Sequence, residues 1–238
     1  MAKCRSPAGG ARLDFRYVIT EPEAPGRLFD ALQSSAVREV AQLREVYEQP
    51  GDHARRKQVD RLHDVARQLI GCSSLVMVAS ADEEGRCDVS PRGGPAGFVA
   101  VLDDRTLAIP DATGNKRLDS LQNIVSTGRV GLLFVVPGRD TTLRVNGRAC
   151  VTTDERLLAQ LTSVGKPPRS AVVVEVEEVY GHCPKAFLRG SAWKPEQWLG
   201  KDAQPTSAQV TLSHLRDPEL TLEQIEQAER ESLQYRYE

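Results

Sequence analysis

From residue 28 the chain repeats apolar side chains at three-or-four spacing: Leu28, Leu32, Val37, Val40, Leu43 and Val46, then Val59, Leu62, Val65 and Leu69. A helix gathers such positions on one face, so two helices are predicted, broken at Gln49-Pro50-Gly51-Asp52. Ahead of them, to about Pro25, proline, glycine and charge mix without a period, and a loose or wrapping arm is expected.

At Cys72 the rhythm shifts to short alternating or apolar runs rich in β-branched residues and bounded by Gly, Pro and Asp, which signals a sheet. Six strands are predicted: Leu75–Ser80, Asp88–Ser90 continuing at Phe98–Leu102, Thr106–Pro110, Val130–Val136, Thr142–Val151 and Ala171–Tyr180. Asp82-Glu83-Glu84-Gly85 and Leu102-Asp103-Asp104-Arg105 read as turns between them. In the fifth strand Leu143, Val145, Gly147, Ala149 and Val151 share one face, and Arg144, Asn146, Arg148 and Cys150 the other. One face belongs to the core, and the other is wet or binds something.

Two helices interrupt the sheet. Asn115–Thr127 is expected to turn Leu118, Leu121, Ile124 and Val125 inward. Asp154–Val164 is expected to bury Leu157, Leu158, Leu161 and Val164, with Asp154 as N-cap and Gly165 as its stop. After Trp198 the chain turns polar, and Thr221-Leu-Glu-Gln opens a last helix through Ile225 and Ala228 toward Leu233. The organisation expected is an arm with two helices over 1–71, a barrel over 72–199, and a tail with a helix over 200–238. The fold class is a β-barrel with helical additions (α+β), a six-stranded, mainly antiparallel Greek-key or split barrel rather than a doubly wound sheet.

Composition narrows the partners. Lys and Arg number 31 against 33 Asp and Glu, so no overall field draws the chain to nucleic acid or acidic lipid. No apolar run is long enough to span a bilayer, and the amino terminus lacks the apolar stretch of a signal peptide, so a cytoplasmic protein without a membrane partner is expected. The five cysteines stand singly, without metal-ligand spacing, so free thiols are expected and no metal.

Chemistry concentrates in Ile109-Pro-Asp-Ala-Thr-Gly-Asn-Lys-Arg-Leu-Asp-Ser, which reads as a strand end, a flexible turn and a helix start. Lys116 and Arg117 then fall at the positive end of a helix dipole, where each cation costs about 0.3–1 kcal/mol unless an anion compensates. A phosphate held by backbone N–H groups, Ser120, Lys116 and Arg117 meets that need; so does a basic turn paired with Asp111 or Asp119. Arg92, ahead of two glycines at a strand end, is placed to reach the same anion.

The segments LVMVASADEEGRCDVSPRGG, TLAIPDATGNKRLDSLQNI, RVGLLFVVPGRDTTLRVNGRACVT and SAVVVEVEEVYGHCPKAFLRGSAW follow in this order over about half the chain. Together they resemble the pyridoxamine 5'-phosphate oxidase-like FMN-binding split-barrel family in the broad sense. The resemblance implies an FMN-binding split barrel that works as a homodimer with the flavin at the subunit interface. It places the phosphate on Arg92, Lys116 and Arg117, and the ring edge on Asp88, Val89, Ser90, Ile109 and Pro110; Asn115 and Ser120 complete the cofactor-binding candidates. Thr142 and Arg144 fall at flavin-facing positions, and Trp193 closes the site from the second subunit.

The activity implied is that of an FMN-dependent oxidase or reductase passing hydride through flavin N5 between a small organic substrate and oxygen or another acceptor. A non-enzymatic flavin or haem binder and an F420-dependent reductase compete with it. Oxidation of pyridoxamine phosphate itself loses ground, because no substrate-binding pattern of those enzymes follows Trp193. His182 is the one weak catalytic candidate, against the alternative of a hydrogen-bonded strand-end residue, and it would also be the ligand to a haem. Arg56, Lys57 and Trp198 read as helix surface and packing.

Overall fold

A computed structural model describes residues 27–112, 114, 116–161 and 167–236. They fall into two compact units, one drawn from residues up to Arg55 with Leu199–Pro205, the other from Arg56–Trp198 and Thr206 onward.

In the first unit the apolar repeat from Leu28 yields two short helices, α1 (Arg27–Gln33) and α2 (Val40–Val46), with α3 (Asp52–Arg56) following. Ser34 and Ser35 separate the first two: each hydroxyl donates to a carbonyl three residues back, at 2.7 and 3.0 Å, which competes with continuing the helix. The second predicted helix also starts late. Val59 forms a β-bridge with Val179, buried Leu62 follows it, and α4 (Asp64–Cys72) begins only after His63.

Beyond α4 the strands are β1 (Leu75–Ala81), β2 (Cys87–Gly93), β3 (Ala100–Val101) and β4 (Thr106–Pro110), then α5 (Asp119–Thr127), β5 (Arg129–Val135) and β6 (Thr142–Thr152). Next come α6 (Glu155–Leu158), β7 (Ala171–Gly181) and α7 (Lys185–Arg189), and the described chain closes with α8 (Ser207–Leu215) and α9 (Leu222–Arg236). All strand pairs are antiparallel, in the order β2-β1-β5-β6-β7-β4-β3, so the protein is an α+β fold on one seven-stranded sheet.

Seven strands replace the six expected, because Asp88–Ser90 and Phe98–Leu102 do not form one strand. Gly97 turns the chain at φ 80°, and β3 pairs with β4 at the far edge of the sheet from β2.

Alternation places Val76, Val78, Val130, Leu132, Phe134, Leu143, Val145, Val172, Val174 and Val176 on one buried face. Each such side chain contributes roughly 1.5–3 kcal/mol by leaving water. In β7 the apolar parity changes after Val176, and the structure absorbs it with a bulge. Asn146 pairs with Glu178 but Gly147 with Val176, so Glu177 is the extra residue and Val179 returns to the core.

The sheet curls strongly. Arg92 on β2 and Asp111 just past β4 belong to strands at opposite ends of the strand order, yet their side chains stand 3.6 Å apart. Helix α5 packs across β1 and β2 with Leu121 and Ile124 buried. Leu118 and Val125, expected inward, are 50% and 72% exposed, Leu118 because it precedes the helix in a left-handed conformation.

Asp154 caps α6 as expected, accepting a hydrogen bond from Leu157 N at 2.9 Å, and Leu158 and Leu161 bury against Ala108 and Ala171. Val164 and Gly165 lie outside the described residues. Thr221 opens α9 with a reciprocal pair: its hydroxyl accepts from Gln224 N at 3.2 Å, and its N–H donates to Gln224 Oε1 at 2.8 Å. Among the described residues no helix is long and apolar enough to cross a membrane.

Candidate functional site

Strand register assigns the polar residues of β2 to two faces. Asp88, Ser90 and Arg92 oppose Ser80, Val78 and Val76, so they share the inner face with the core; Val89 and Pro91 oppose Ala79 and Met77 and look outward. Under α5 the inner face forms a small cleft, partly open to solvent. Its floor is apolar, from Val78, Ile109, Pro110, Leu121, Ile124 and Val172, and its polar groups are Arg92, Asp111 and Ser120.

Ser120 is buried on the first turn of α5 and donates its hydroxyl hydrogen to Asp88 Oδ2 at 2.5 Å, tying helix to strand. The preceding residues are unusual. Lys116 (φ 65°) and Leu118 (φ 61°) both adopt the left-handed conformation that side chains with a Cβ resist, and the N-cap position is Leu118, which has no side-chain cap to offer. The helix therefore starts at Asp119, and Lys116 and Arg117 lie ahead of its first turn rather than in it. The N–H groups of Asp119, Ser120 and Leu121 precede the first intrahelical bond, made by Gln122 N to Leu118 O at 2.8 Å. Among the described residues no side chain caps this electropositive helix end, which lies beside Arg92.

Charge pairing at the site is partly internal. Arg92 stands 3.6 Å from Asp111, with both side chains largely covered. Burial pushes the Asp111 carboxyl above its ordinary range, and the Arg92 guanidinium pulls it back only in part. Exposed Arg117 donates to Asp119 Oδ2 at 3.0 Å, and Lys116 is exposed. Asn115 lies outside the described residues.

The remaining candidates sit elsewhere. Thr142 and Arg144 oppose Val135 and Leu133 on the outer face, across the sheet from Arg92, which lies level with Phe134 and Leu143 on the inner one. Arg144 Nη1 donates to Tyr180 Oη at 2.9 Å. Trp193 donates its indole N–H to Arg139 O at 2.8 Å and stacks on Phe187 at 5.8 Å. Within one chain, therefore, Asp88, Ser90, Arg92, Ile109, Pro110 and Ser120 are brought together, whereas Val89, Thr142, Arg144 and Trp193 are not.

Two residues escaped the sequence reading. Asp111 was visible only as a possible partner of a basic turn, and its burial opposite Arg92 depends on the curl of the sheet. Lys57, read as helix surface, instead donates to Gly181 O at 2.7 Å and lies 5.7 Å from the Tyr180 ring. The Val59–Val179 bridge brings it there, a pairing between segments 120 residues apart that no local pattern announces. His182 follows β7 beside Tyr180, with ring centroids 5.1 Å apart. Cys72, Cys87, Cys150 and Cys183 are free and exposed, and the described residues hold no cluster fit for a metal ion.

No curated protein matches the chain. Among solved structures, HupZ of Group A Streptococcus is 22% identical over 50% of this chain and 93% of that one, with a TM-score of 0.42. An FMN-binding protein from Syntrophomonas wolfei is 15% identical over 50% and 84% (TM-score 0.39), and an F420 reductase 16% identical over 51% and 98% (TM-score 0.38). The family model for pyridoxamine 5'-phosphate oxidase matches residues 62–183, a span that runs from buried Leu62 through the whole seven-stranded sheet to Cys183. That span is just over half of the 238 residues, and the chain belongs to the pyridoxamine 5'-phosphate oxidase family.

Proposed function

We propose that this chain is a cytoplasmic FMN-dependent oxidoreductase acting on a small organic substrate, with the curled sheet serving as a split barrel and two copies associating around the flavin. The observation that carries the reading is that Arg92, Ser120 and Leu121, the last two from the first turn of α5, line one cleft. These groups fit a phosphate: a guanidinium, a hydroxyl and a helix amino terminus are the donors that oxyanions take. Family membership supports the choice of flavin.

In this reading Arg92 exchanges Asp111 for the phosphate, and Ser120 turns its hydroxyl from Asp88. Lys116 and Arg117 add positive potential at the entrance. Ile109, Pro110 and Val78 supply apolar surface beside the phosphate and keep water from it. Bound FMN supplies the hydride chemistry at N5. The outer face at the β2 edge of the sheet, where Val89 lies beside Ala79 by register, is the surface proposed for the second copy. Thr142 and Trp193 then serve a ring held between copies.

The test is a titration of the purified protein with FMN, followed by flavin fluorescence, in the natural chain and in Arg92→Glu. Charge reversal at the phosphate should weaken association by about 100-fold or more, on the scale of a charge-assisted hydrogen bond lost and a like charge gained. Circular dichroism checks that the variant keeps its sheet. Equal affinity in the two proteins would remove the phosphate assignment.

A further inference from the structure

On the outer face, the end of the sheet away from Val89 carries a second cluster. Arg144 on β6, Tyr180 on β7, His182 just past β7 and Lys57 from the segment bridged to β7 meet around one aromatic ring. Arg144 Cζ lies 5.5 Å and Lys57 Nζ 5.7 Å from the Tyr180 centroid, and the His182 ring centroid lies 5.1 Å from it. Arg144 spends one N–H on Tyr180 Oη and Lys57 one on Gly181 O. Their other donors have no carboxylate: among the described residues neither cation forms an ion pair. The nearest acid on the same face of β7, Glu178, is engaged by Asn146.

His182 adds an independent observation. Its Nε2 is enclosed and has no hydrogen-bond partner, although the rest of the imidazole is half-buried. A buried ring nitrogen left unbonded costs about 1–3 kcal/mol. Burial and the two neighbouring cations hold its proton affinity below the ordinary range, so the ring adds no positive charge of its own near neutral pH. Two cations without a carboxylate around a single aromatic make an incomplete set, and what completes it is negative and accepts several hydrogen bonds.

We propose that this cluster is a binding site for a carboxylate carried on a flat apolar body. A carboxylate presents two acceptor oxygens, which suits the forked guanidinium of Arg144, with Lys57 as a further donor and the neighbouring His182 ring close enough to sense the bound charge. The apolar body is argued from register: along the row containing Arg144 and Tyr180, the next residues are Leu133 and Met77, partly exposed apolar side chains on the same face. The site lies across the sheet from the Arg92 cavity. Only the fate of the ligand, as substrate of a flavin bound nearby, rests on the proposed function; its binding does not.

The experiment uses benzoate as the probe and the imidazole nitrogens as the reporter. The chain has four histidines, so ¹⁵N spectra are sparse, and His182→Gln assigns the signal. Benzoate should shift the His182 Nε2 resonance saturably, acetate should bind more weakly for lack of the apolar body, and benzyl alcohol should produce no shift. Arg144→Gln and Lys57→Gln should each weaken benzoate by about tenfold, the loss expected for one charge-assisted contact in a partly wet site.

An unmoved His182 signal at millimolar benzoate overturns the proposal, and so does undiminished affinity in both folded variants. Inorganic phosphate binding as tightly as benzoate overturns the carboxylate assignment. FMN titration reads the inner-face cavity and the benzoate titration this outer cluster, so each reading fails or stands by its own measurement.

Discussion

Gly147 offers the sharpest test of how the sheet is held. It lies at the bulge where β6 and β7 change register, and a Cβ built there would meet Glu175 O at 1.9 Å, Glu175 C at 2.9 Å and Glu177 N at 3.3 Å. All three are backbone atoms of a central strand. Because side-chain carbons do not come closer than about 3.0 Å, Gly147→Ala forces the strands apart by more than 1 Å at this point. Such a displacement breaks the adjacent ladder bonds. Two buried backbone pairs lost at about 1–3 kcal/mol each give a cost of about 2–6 kcal/mol.

Urea unfolding followed by circular dichroism measures this directly, and a thermal scan should show a midpoint lower by about 10 °C, since each kcal/mol is worth about 2–4 °C in a domain of this size. Gly131→Ala is the built-in comparison. There the new methyl meets Asn146 Oδ1 at 3.2 Å, the tip of a side chain that can turn aside, so the cost should stay below about 1 kcal/mol. If Gly147→Ala unfolds within about 0.5 kcal/mol of the natural chain, the account of the bulge is wrong.

Asp111→Asn should tighten FMN association by about tenfold, because it removes a buried negative charge from beside the phosphate; unchanged or weaker binding in the same fluorescence titration counts against the cavity. The same variant has a signed pH dependence. Asp111 titrates above its ordinary value of 3.8 in the fold, so its stabilising contribution belongs to the protonated form and is lost as pH rises through the folded value. The stability advantage of Asp111→Asn over the natural chain should therefore widen as pH rises from 3.8 toward neutrality; a gap that narrows instead refutes the sign. Ser73→Ala should cost about 1–2 kcal/mol in urea unfolding, since the buried hydroxyl is shared between Leu75 O at 2.8 Å and Val135 O at 2.9 Å and its loss leaves both carbonyls short of a donor.

What the chain's local chemistry governs was legible residue by residue. Strand alternation from Leu143 to Val151, the N-cap at Asp154 and the reciprocal cap at Thr221 each depend on side chains within a few positions of one another, so period and spacing suffice to read them. The same locality explains the errors. Apolar spacing was read as one helix across Ser34-Ser35, where two hydroxyls compete for carbonyls, and Lys116 and Arg117 were read into a helix that starts only at Asp119. Spacing registers hydrophobicity and is blind to a backbone that turns left-handed.

The sequence by itself determined a β-rich protein with helices at its margins, the inner faces of its strands, and the candidates for a phosphate around Arg92 and Ser120. Tertiary structure alone decided which of them meet. Curling the sheet set Asp111 against Arg92 from the far end of the strand order, the pleat put Arg144 on the opposite face from Arg92, and the Val59–Val179 bridge delivered Lys57 to Tyr180 and His182. Each of these follows from hydrogen bonds between segments remote in the chain, and such pairings depend on the fit of whole surfaces, which no window along the sequence contains.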